Sequence, residues 1–223
     1  MFTALFRGFA QLSDPRCRRI IWIGIAVALL VQVLLTAGLY WLLSSTAFFQ
    51  IGWLDLTTDI LGVLAVFVLS LFLFPSVVTA VAGLLLDDVA RAAENRHYPD
   101  LPPVRDQSLA EGIGAGLRLA ALGIALNLLV LPLYFIPVVN VMVLYGLNGY
   151  LLGREYFEVV ALRRLDPGQA RSLRLAHRGY LWICGAIITF LLTLPLVNLV
   201  APVVATAFML HIFEALRRRE RLV

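Results

Sequence analysis

Three arginines lie close together near the N-terminus, at Arg16, Arg18 and Arg19, directly before a long apolar run. Guanidinium groups bind sulfate and phosphate oxygens well because they stay protonated and offer N–H donors in a planar fork. At the edge of an apolar segment they would also concentrate anions from solution. The same arginines suit anchoring to lipid headgroups and setting the orientation in a membrane, so both interpretations stay open.

Two asparagines, Asn140 and Asn198, lie beside prolines inside long apolar stretches. Helices that begin near Pro137 and Pro202 would present partial positive charge and free N–H groups at their N-termini, which favours an anion. The asparagine side chains would add donors. We therefore predict an anion-binding site that includes Arg18. The other expected members are Arg16 and Arg19 beside it, and Asn140 and Asn198 near the helix breaks.

Signals for catalysis are weak. The sequence has no nucleotide-binding loop, no zinc motif and no serine-nucleophile motif. Its two cysteines form no metal spacing and are expected to be free thiols, and its three histidines are far apart. Two acidic pairs remain, and helix ends paired with nearby arginines explain them better: Asp87 with Asp88, and Glu155 with Glu158. We predict that the protein is not an enzyme and needs no cofactor or metal.

The composition indicates an integral membrane protein. The chain has 223 residues, of which 61% are hydrophobic and only 14% charged, unlike a soluble domain of this size. Every basic residue is an arginine, and the net charge is +4. This excess is expected to report orientation in the bilayer and not nucleic-acid binding.

The elements that would position these residues are predicted to be helices throughout. Residues 1–15 form an amphipathic helix at the interface, with Phe2, Leu5, Phe6, Phe9 and Leu12 on one face. Ser13, Asp14 and Pro15 then mark a helix start. Two long transmembrane helices follow at 20–43 and 60–86, and residues 87–118 form a cytoplasmic helix and loop.

Two later stretches, 119–153 and 179–210, have unusual lengths. Each runs for more than thirty residues without an Asp, Glu, Arg or His and contains a pair of prolines. One crossing takes about 20 residues, and two crossings with a turn take more than about 40. We predict two re-entrant, half-membrane helical hairpins, with two kinked crossings as the alternative. In the first, Gly149 and Gly153 are spaced for close helix packing.

The arginine distribution favours the hairpins. Arginines precede the span 20–43, and none lies in the loop after it, which places the N-terminus in the cytoplasm. Six arginines lie in 154–178, and a single crossing of 119–153 would put them outside. Hairpins keep these arginines and the arginine-rich C-terminus inside. Both termini are therefore expected to be cytoplasmic.

Several stretches resemble the CysZ-type sulfate permeases, within the larger etoposide-induced-protein-like superfamily. They include Phe74-Pro75-Ser76 through Asp87-Asp88, the run Gly153-Arg154-Glu155-Tyr156-Phe157-Glu158, and Ile188 to Thr206 with its Leu194-Pro195-Leu196 and Pro202-Val203. The resemblance follows nearly the whole chain in order. It implies two long helices plus two half-membrane hairpins, assembled as an oligomer that imports sulfate.

The resemblance also bears on the anion site. The family's sulfate-binding stretch is similar to Pro-Gly-Leu-Arg-Arg, and this chain has Pro15-Arg16-Cys17-Arg18-Arg19 at that place. The two final arginines match, whereas the Gly and Leu positions are Arg16 and Cys17. A tight turn that brings a backbone N–H to the anion would be lost or altered here.

The sequence as a whole predicts an all-α integral protein of the bacterial inner membrane, with several crossings and a homo-oligomeric assembly. The expected function is passive, channel-like import of sulfate, sulfite or a similar small oxyanion. The apolar segments carry almost no ionisable side chains, which argues against proton coupling. A non-transporting membrane scaffold or assembly factor is the alternative. A lipid-modifying enzyme would need a catalytic cluster that the sequence does not show.

Overall fold

The computed structural model describes residues 1–44, 62, 64, 86–101, 104–105, 109–194 and 197–220. These residues are helical with short connections and contain no strand. The chain divides into two compact units, one formed by Met1–Arg18 with Leu86–Val223 and the other by Arg19–Leu85. The predicted span 60–86 lies almost wholly outside the described residues, as do Pro75 and Pro195.

Eight α-helices are described in chain order. They are α1 (Phe2–Ala10), α2 (Pro15–Ser44), α3 (Leu86–His97), α4 (Leu109–Val130), α5 (Pro137–Ala161), α6 (Pro167–Ala176), α7 (Arg178–Thr193) and α8 (Ala201–Arg219). Short 3-10 helices follow α1 at Gln11–Ser13 and α4 at Leu131–Phe135. We call α4 with α5 the first helix pair, and α7 with α8 the second helix pair.

Within the described ranges, two segments are long and apolar enough to cross a membrane, Pro15–Gly38 and Leu117–Phe135. The first overlaps the predicted span at 20–43 and begins earlier, at Pro15, where the Asp14 carboxylate accepts the Arg16 N–H at 2.8 Å. The second is one leg of the first helix pair. The protein is therefore an all-helical membrane protein, as predicted.

Prolines begin the second leg of each helix pair. α5 starts at Pro137 after the 3-10 helix, and Pro202 lies in the first turn of α8. Proline has no N–H to donate and its fixed φ suits the first turn of a helix. α5 continues past Gly153 to Ala161, and α8 past Leu210 to Arg219, so both helices carry charged residues beyond their apolar part.

In each helix pair, the residues before the first helix lie next to the residues after the second helix. For the first pair, the N–H of Arg105, before α4, donates to the carbonyl oxygen of Arg163, after α5, at 2.9 Å. For the second, His177 Nε2 lies 3.1 Å from Glu220 Oε1. A single kinked crossing would separate these partners by the thickness of a bilayer. Both pairs therefore leave one end of the unit and return to it.

The two pairs pack through α5 and α7, where small residues allow close contact. A Cβ at Gly185 would overlap the carbonyl oxygen of Gly149 and lie 2.5 Å from the nitrogen of Gly153. The prediction that Gly149 and Gly153 mediate close packing is confirmed. α7 spans 16 residues, about 24 Å at 1.5 Å per residue, which is short of the hydrocarbon core. The depth of each pair in the bilayer stays a prediction.

The N-terminal helix α1 packs on the second helix pair. Leu5, Phe9 and Leu12 contact the buried cluster of Leu191, Ala201 and Val204. Phe2 and Phe6 remain 70% and 73% exposed. One part of the predicted apolar face of α1 therefore packs against the second helix pair, and the other part is exposed. The packed part makes α1 an integral part of the fold.

Candidate anion-binding site

The predicted arginines lie in the first turns of α2, and all three side chains are exposed. None of them forms an ion pair within the described part of the chain. Arg16 and Arg19 are three residues apart and share a helix face, whereas Arg18 points to another. An anion at this helix start would therefore meet guanidinium groups that no carboxylate occupies.

Backbone N–H groups at the same helix start are already bonded. The Arg16 N–H donates to Asp14 Oδ1 at 2.8 Å, and the Arg18 N–H donates to the Asp14 carbonyl at 2.9 Å. The Asp14 carboxylate also accepts from Gln11 Nε2 at 3.3 Å. Because this carboxylate takes the place of an external anion, any anion bound here is held by the arginine side chains.

The chain segment before these arginines lies beside the turn of the second helix pair. Leu12 packs against the same buried cluster as Val197, which precedes Asn198 in that turn. The contact brings the start of α2 toward the turn that carries Asn198. No hydrogen bond among the described residues joins Asn198 to Arg16 or Arg18.

The two predicted asparagines lie at the predicted helix breaks. Asn140 is half-buried in the first turn of α5, where its N–H donates to Ile136 O at 2.8 Å. Asn198 is half-buried, and its side-chain Oδ1 is inaccessible without a hydrogen-bond partner in the described residues. A buried amide in this state is a group that a ligand or a second chain can satisfy.

The expectation of free N–H groups at the start of α8 is wrong. The N–H groups of Ala201, Val203 and Val204 donate to carbonyl oxygens of the preceding turn at 2.7 to 3.1 Å. Residue 202 is a proline and has no donor. The turn itself therefore satisfies the N-terminus of α8, because residues 197–200 wind into it.

A buried ionic cluster, which we call the charged base, holds the ends of both helix pairs together. Arg163 binds Glu94 through two bonds, Nη2 to Oε2 at 2.8 Å and Nε to Oε1 at 3.2 Å. Arg217 donates to Glu214 at 3.0 Å. Arg164 connects these two pairs, 3.3 Å from Glu94 and 3.9 Å from Glu214.

Burial shifts the pKa values of two side chains in the charged base. Burial lowers the pKa of Arg163 to about 10, with Arg164 adding to the shift, so its guanidinium is still protonated at neutral pH. Burial raises the pKa of Glu94, and the adjacent Arg164 opposes that shift. Asp87, half exposed, contacts Arg163 as well. The positive and negative charges of the cluster are therefore nearly balanced, and its ion pairs hold the ends of the helix pairs together.

The acidic pairs considered as catalytic candidates are largely engaged in ion pairs. Asp87 binds Arg91 at 3.2 Å and also contacts Arg163. Glu158 binds Arg154 at 2.8 Å and Arg174 at 3.4 Å. The helix-end interpretation is the right one for Asp87 and Glu158. No group of three or more metal-ligating side chains occurs among the residues described.

A histidine cluster that the sequence did not predict joins α3 to α8. The rings of His97 and His211 lie 4.8 Å apart, and Tyr98 Oη lies 2.8 Å from His211 Nδ1. Arg218 stacks over the Tyr98 ring at 5.3 Å. His97 and Tyr98 are more than a hundred positions away from His211 along the chain, so only the fold brings them together.

Comparison with known proteins gives one family. The family model described as "Sulfate transporter CysZ/Etoposide-induced protein 2.4" matches residues 4–202, which is most of the chain. The matched range includes α1, the arginines at the start of α2, the first helix pair and the turn of the second. No curated protein matches the sequence.

Proposed function

Since this chain belongs to the sulfate transporter CysZ/etoposide-induced protein 2.4 family, we propose that it is a membrane permease for small oxyanions. It imports sulfate, or a similar ion such as sulfite, through a channel-like path. Transport is passive and needs no ATP hydrolysis. Arg18 makes the main contact with the anion, and Arg16 and Arg19 draw anions toward it.

This proposal rests on the exposure of Arg16 and Arg18 and on the groups that surround them. Both guanidinium groups are exposed and have no carboxylate partner in the described residues, whereas the arginines of the charged base are ion-paired. Leu12, four residues before Arg16, packs in one apolar cluster with the turn of the second helix pair. A cationic site therefore lies on the segment next to a helix break.

The break in the first helix pair supports a pathway within an oligomer. The α-helical hydrogen bonding is interrupted by the 3-10 helix at Leu131–Phe135, and Phe135 is 83% and Leu131 51% exposed in the single chain. Interrupted backbone does not face lipid and needs protein or a watery cavity around it. A second copy of the chain that covers this turn would supply both, so we propose a homo-oligomer.

Passive transport fits the polar groups of the apolar segments. Residues 119–153 and 179–210 contain no Asp, Glu, Arg or His, and their polar side chains include the amides of Asn127, Asn140 and Asn198. Carriers that couple to protons keep an ionisable residue at membrane depth. The proposed path therefore selects anions at its arginine-lined entrance and conducts them down their gradient.

The orientation follows from the charged base. It gathers Arg163 and Arg164, from between the helix pairs, and Arg217, from the last turns of the second pair, at one end of the unit, and arginine-rich segments stay in the cytoplasm. We accordingly propose a bacterial inner-membrane protein with the charged base and both termini in the cytoplasm.

Influx of radiolabelled sulfate into proteoliposomes tests the function. We expect influx above that of empty liposomes without ATP or a proton gradient, reduced in Arg18→Gln and unchanged in Arg178→Gln. The control removes the same charge from another exposed position. Influx at the level of empty liposomes for the wild type, with the protein folded, would rule the permease out.

A non-transporting scaffold is the second candidate, and the charged base is consistent with it. Its buried arginines are all ion-paired, which suits a rigid support as well as a transporter. A stable protein partner in pull-down experiments, together with the absence of sulfate binding, would select this alternative.

A further inference from the structure

A second basic site lies between α4, α5 and α6, away from the start of α2. It is an open pocket of about 560 Å³, within the size range of small-molecule sites. We call it the surface pocket. Its charged lining consists of Arg118, Arg154, Arg171, Arg174 and Glu158. Four arginines against one glutamate leave a surplus of three positive charges.

The arginines of the surface pocket are only partly neutralised. Glu158 binds Arg154 at 2.8 Å and Arg174 at 3.4 Å. The Arg174 Nε is buried and has no hydrogen bond of normal geometry in the described residues. Arg118 and Arg171 are exposed and form no ion pair in that part of the chain. Guanidinium groups gathered in a concave site repel one another unless an anion lies between them.

The fold places these arginines beside the end of an apolar segment that is long enough to cross a membrane. Arg118 is the second residue of the apolar segment Leu117–Phe135, so it marks the edge of the hydrocarbon region. α6 turns by 88° from α7 and so lies across it, with Arg171 and Arg174 three residues apart on one face. The Asp166–Gln169 capping box fixes the start of α6. Tyr150, 40% exposed, suits the headgroup level.

We propose that the surface pocket binds a tetrahedral oxyanion group, phosphate or sulfate, between Arg118, Arg154, Arg171 and Arg174. Planar guanidinium forks match two oxygens of such a group, and several forks around one group give specificity for a double charge. The volume exceeds that of one ion, so the group is held with its hydration water or as part of a larger molecule. A dissolved ion and a phospholipid headgroup present the same chemistry here.

Glu158 competes with this ligand for the arginines of the surface pocket. It occupies Arg154 and Arg174 in the structure, and a bound oxyanion takes over the same donors. Removal of its charge therefore strengthens binding, whereas removal of Arg171 weakens it. The site does not depend on transport, because it involves none of the residues at the start of α2.

Binding to the purified full-length protein tests the proposal. Equilibrium dialysis with radiolabelled sulfate and with inorganic phosphate measures the dissolved ion, in detergent. Native mass spectrometry after reconstitution in phosphatidylcholine with phosphatidylglycerol measures retention of the anionic lipid. The variants are Arg171→Gln, Glu158→Gln and the control Arg178→Gln, an exposed arginine outside the pocket.

We expect Arg171→Gln to weaken binding about tenfold, the loss of one charge-assisted contact. Glu158→Gln binds more tightly than the wild type, and Arg178→Gln binds equally. This pattern with the ions identifies a dissolved ligand, and the same pattern with phosphatidylglycerol alone identifies a headgroup. Either result supports the site, even where sulfate influx is unchanged in Arg171→Gln. Equal affinities of the wild type, Arg171→Gln and Glu158→Gln for every probe overturn it.

Discussion

Arg163 and Glu94 are joined by two hydrogen bonds, at 2.8 and 3.2 Å, although 69 residues separate them along the chain. Glu94 precedes the first helix pair and Arg163 follows it. Both side chains are almost fully buried, at 3% and 5% exposure. The pair therefore holds both ends of the first helix pair together at one end of the unit, as the re-entrant hairpin predicted from the arginine distribution requires.

Glu94→Gln tests the energetic weight of the charged base. The change leaves Arg163 and Arg164 buried without their shared carboxylate, and breaking a buried ion pair costs about 3–5 kcal/mol. We expect a large fall in the melting temperature in detergent. Arg91→Gln is the matched control, because its pair with Asp87 is about 60% exposed and such pairs contribute less than about 1 kcal/mol. Equal melting temperatures of the two variants would show that the buried ion pairs of the charged base do not stabilise the fold.

Gly185→Ala tests the packing of α5 against α7. Its Cβ would overlap the Gly149 carbonyl oxygen and crowd Gly153, and because those atoms belong to the backbone the helices must separate. Overpacking of this kind costs about 1–3 kcal/mol or more. Gly146→Ala on α5, where a Cβ meets open space, should leave the melting temperature unchanged or slightly raised. A well-folded Gly185→Ala protein as stable as the wild type would refute the contact.

Acid should destabilise the protein through His97. Burial lowers the pKa of His97 below its ordinary value, and the charges of Arg96 and Arg7 add to the shift. The unfolded chain therefore binds more protons than the folded chain below about pH 6.5, and stability falls as the pH drops through that region. We expect a lower melting temperature at about pH 5 than at pH 7.

The pH effect should be smaller in His97→Gln, which has no proton to bind at that position. Melting curves of the two proteins at both pH values make the comparison. An identical fall in both proteins would show that His97 does not contribute.

Sulfate should stabilise the wild type through Arg18. A ligand that binds only the folded state at about 100 times its Kd adds about 2.7 kcal/mol. The resulting rise in melting temperature should be smaller in Arg18→Ala than in the wild type and kept in Arg178→Ala. A rise of the same size in Arg18→Ala would remove this residue from the anion site.

Local signals in the sequence predicted several features correctly. Asp14 and Pro15 mark the start of α2, Pro137 that of α5, and Gly149 with Gly153 the close packing against α7. Each depends on a few neighbouring residues, since capping, the missing proline N–H and the missing glycine Cβ act locally.

Contacts between distant segments could not be predicted from the sequence. Glu94 with Arg163 and His97 with His211 depend on how the helix pairs return to a common end. The satisfied N-terminus of α8 was missed because the path of residues 197–200, and not the proline, determines it. The surface pocket combines arginines from three helices, and no spacing in the sequence reveals it.

Cysteine labelling from each side of the membrane tests the central claim, that both helix pairs begin and end on one side. Suitable variants are Asp100→Cys, Ser172→Cys and Ala215→Cys, at exposed positions before the first pair, between the pairs and in the last turns of the second pair, while the native Cys17 and Cys184 are buried. With a membrane-impermeant maleimide on intact cells and inverted vesicles, we predict that all three variants react only in inverted vesicles. Labelling of Ser172→Cys from the side opposite to Asp100→Cys would contradict the account.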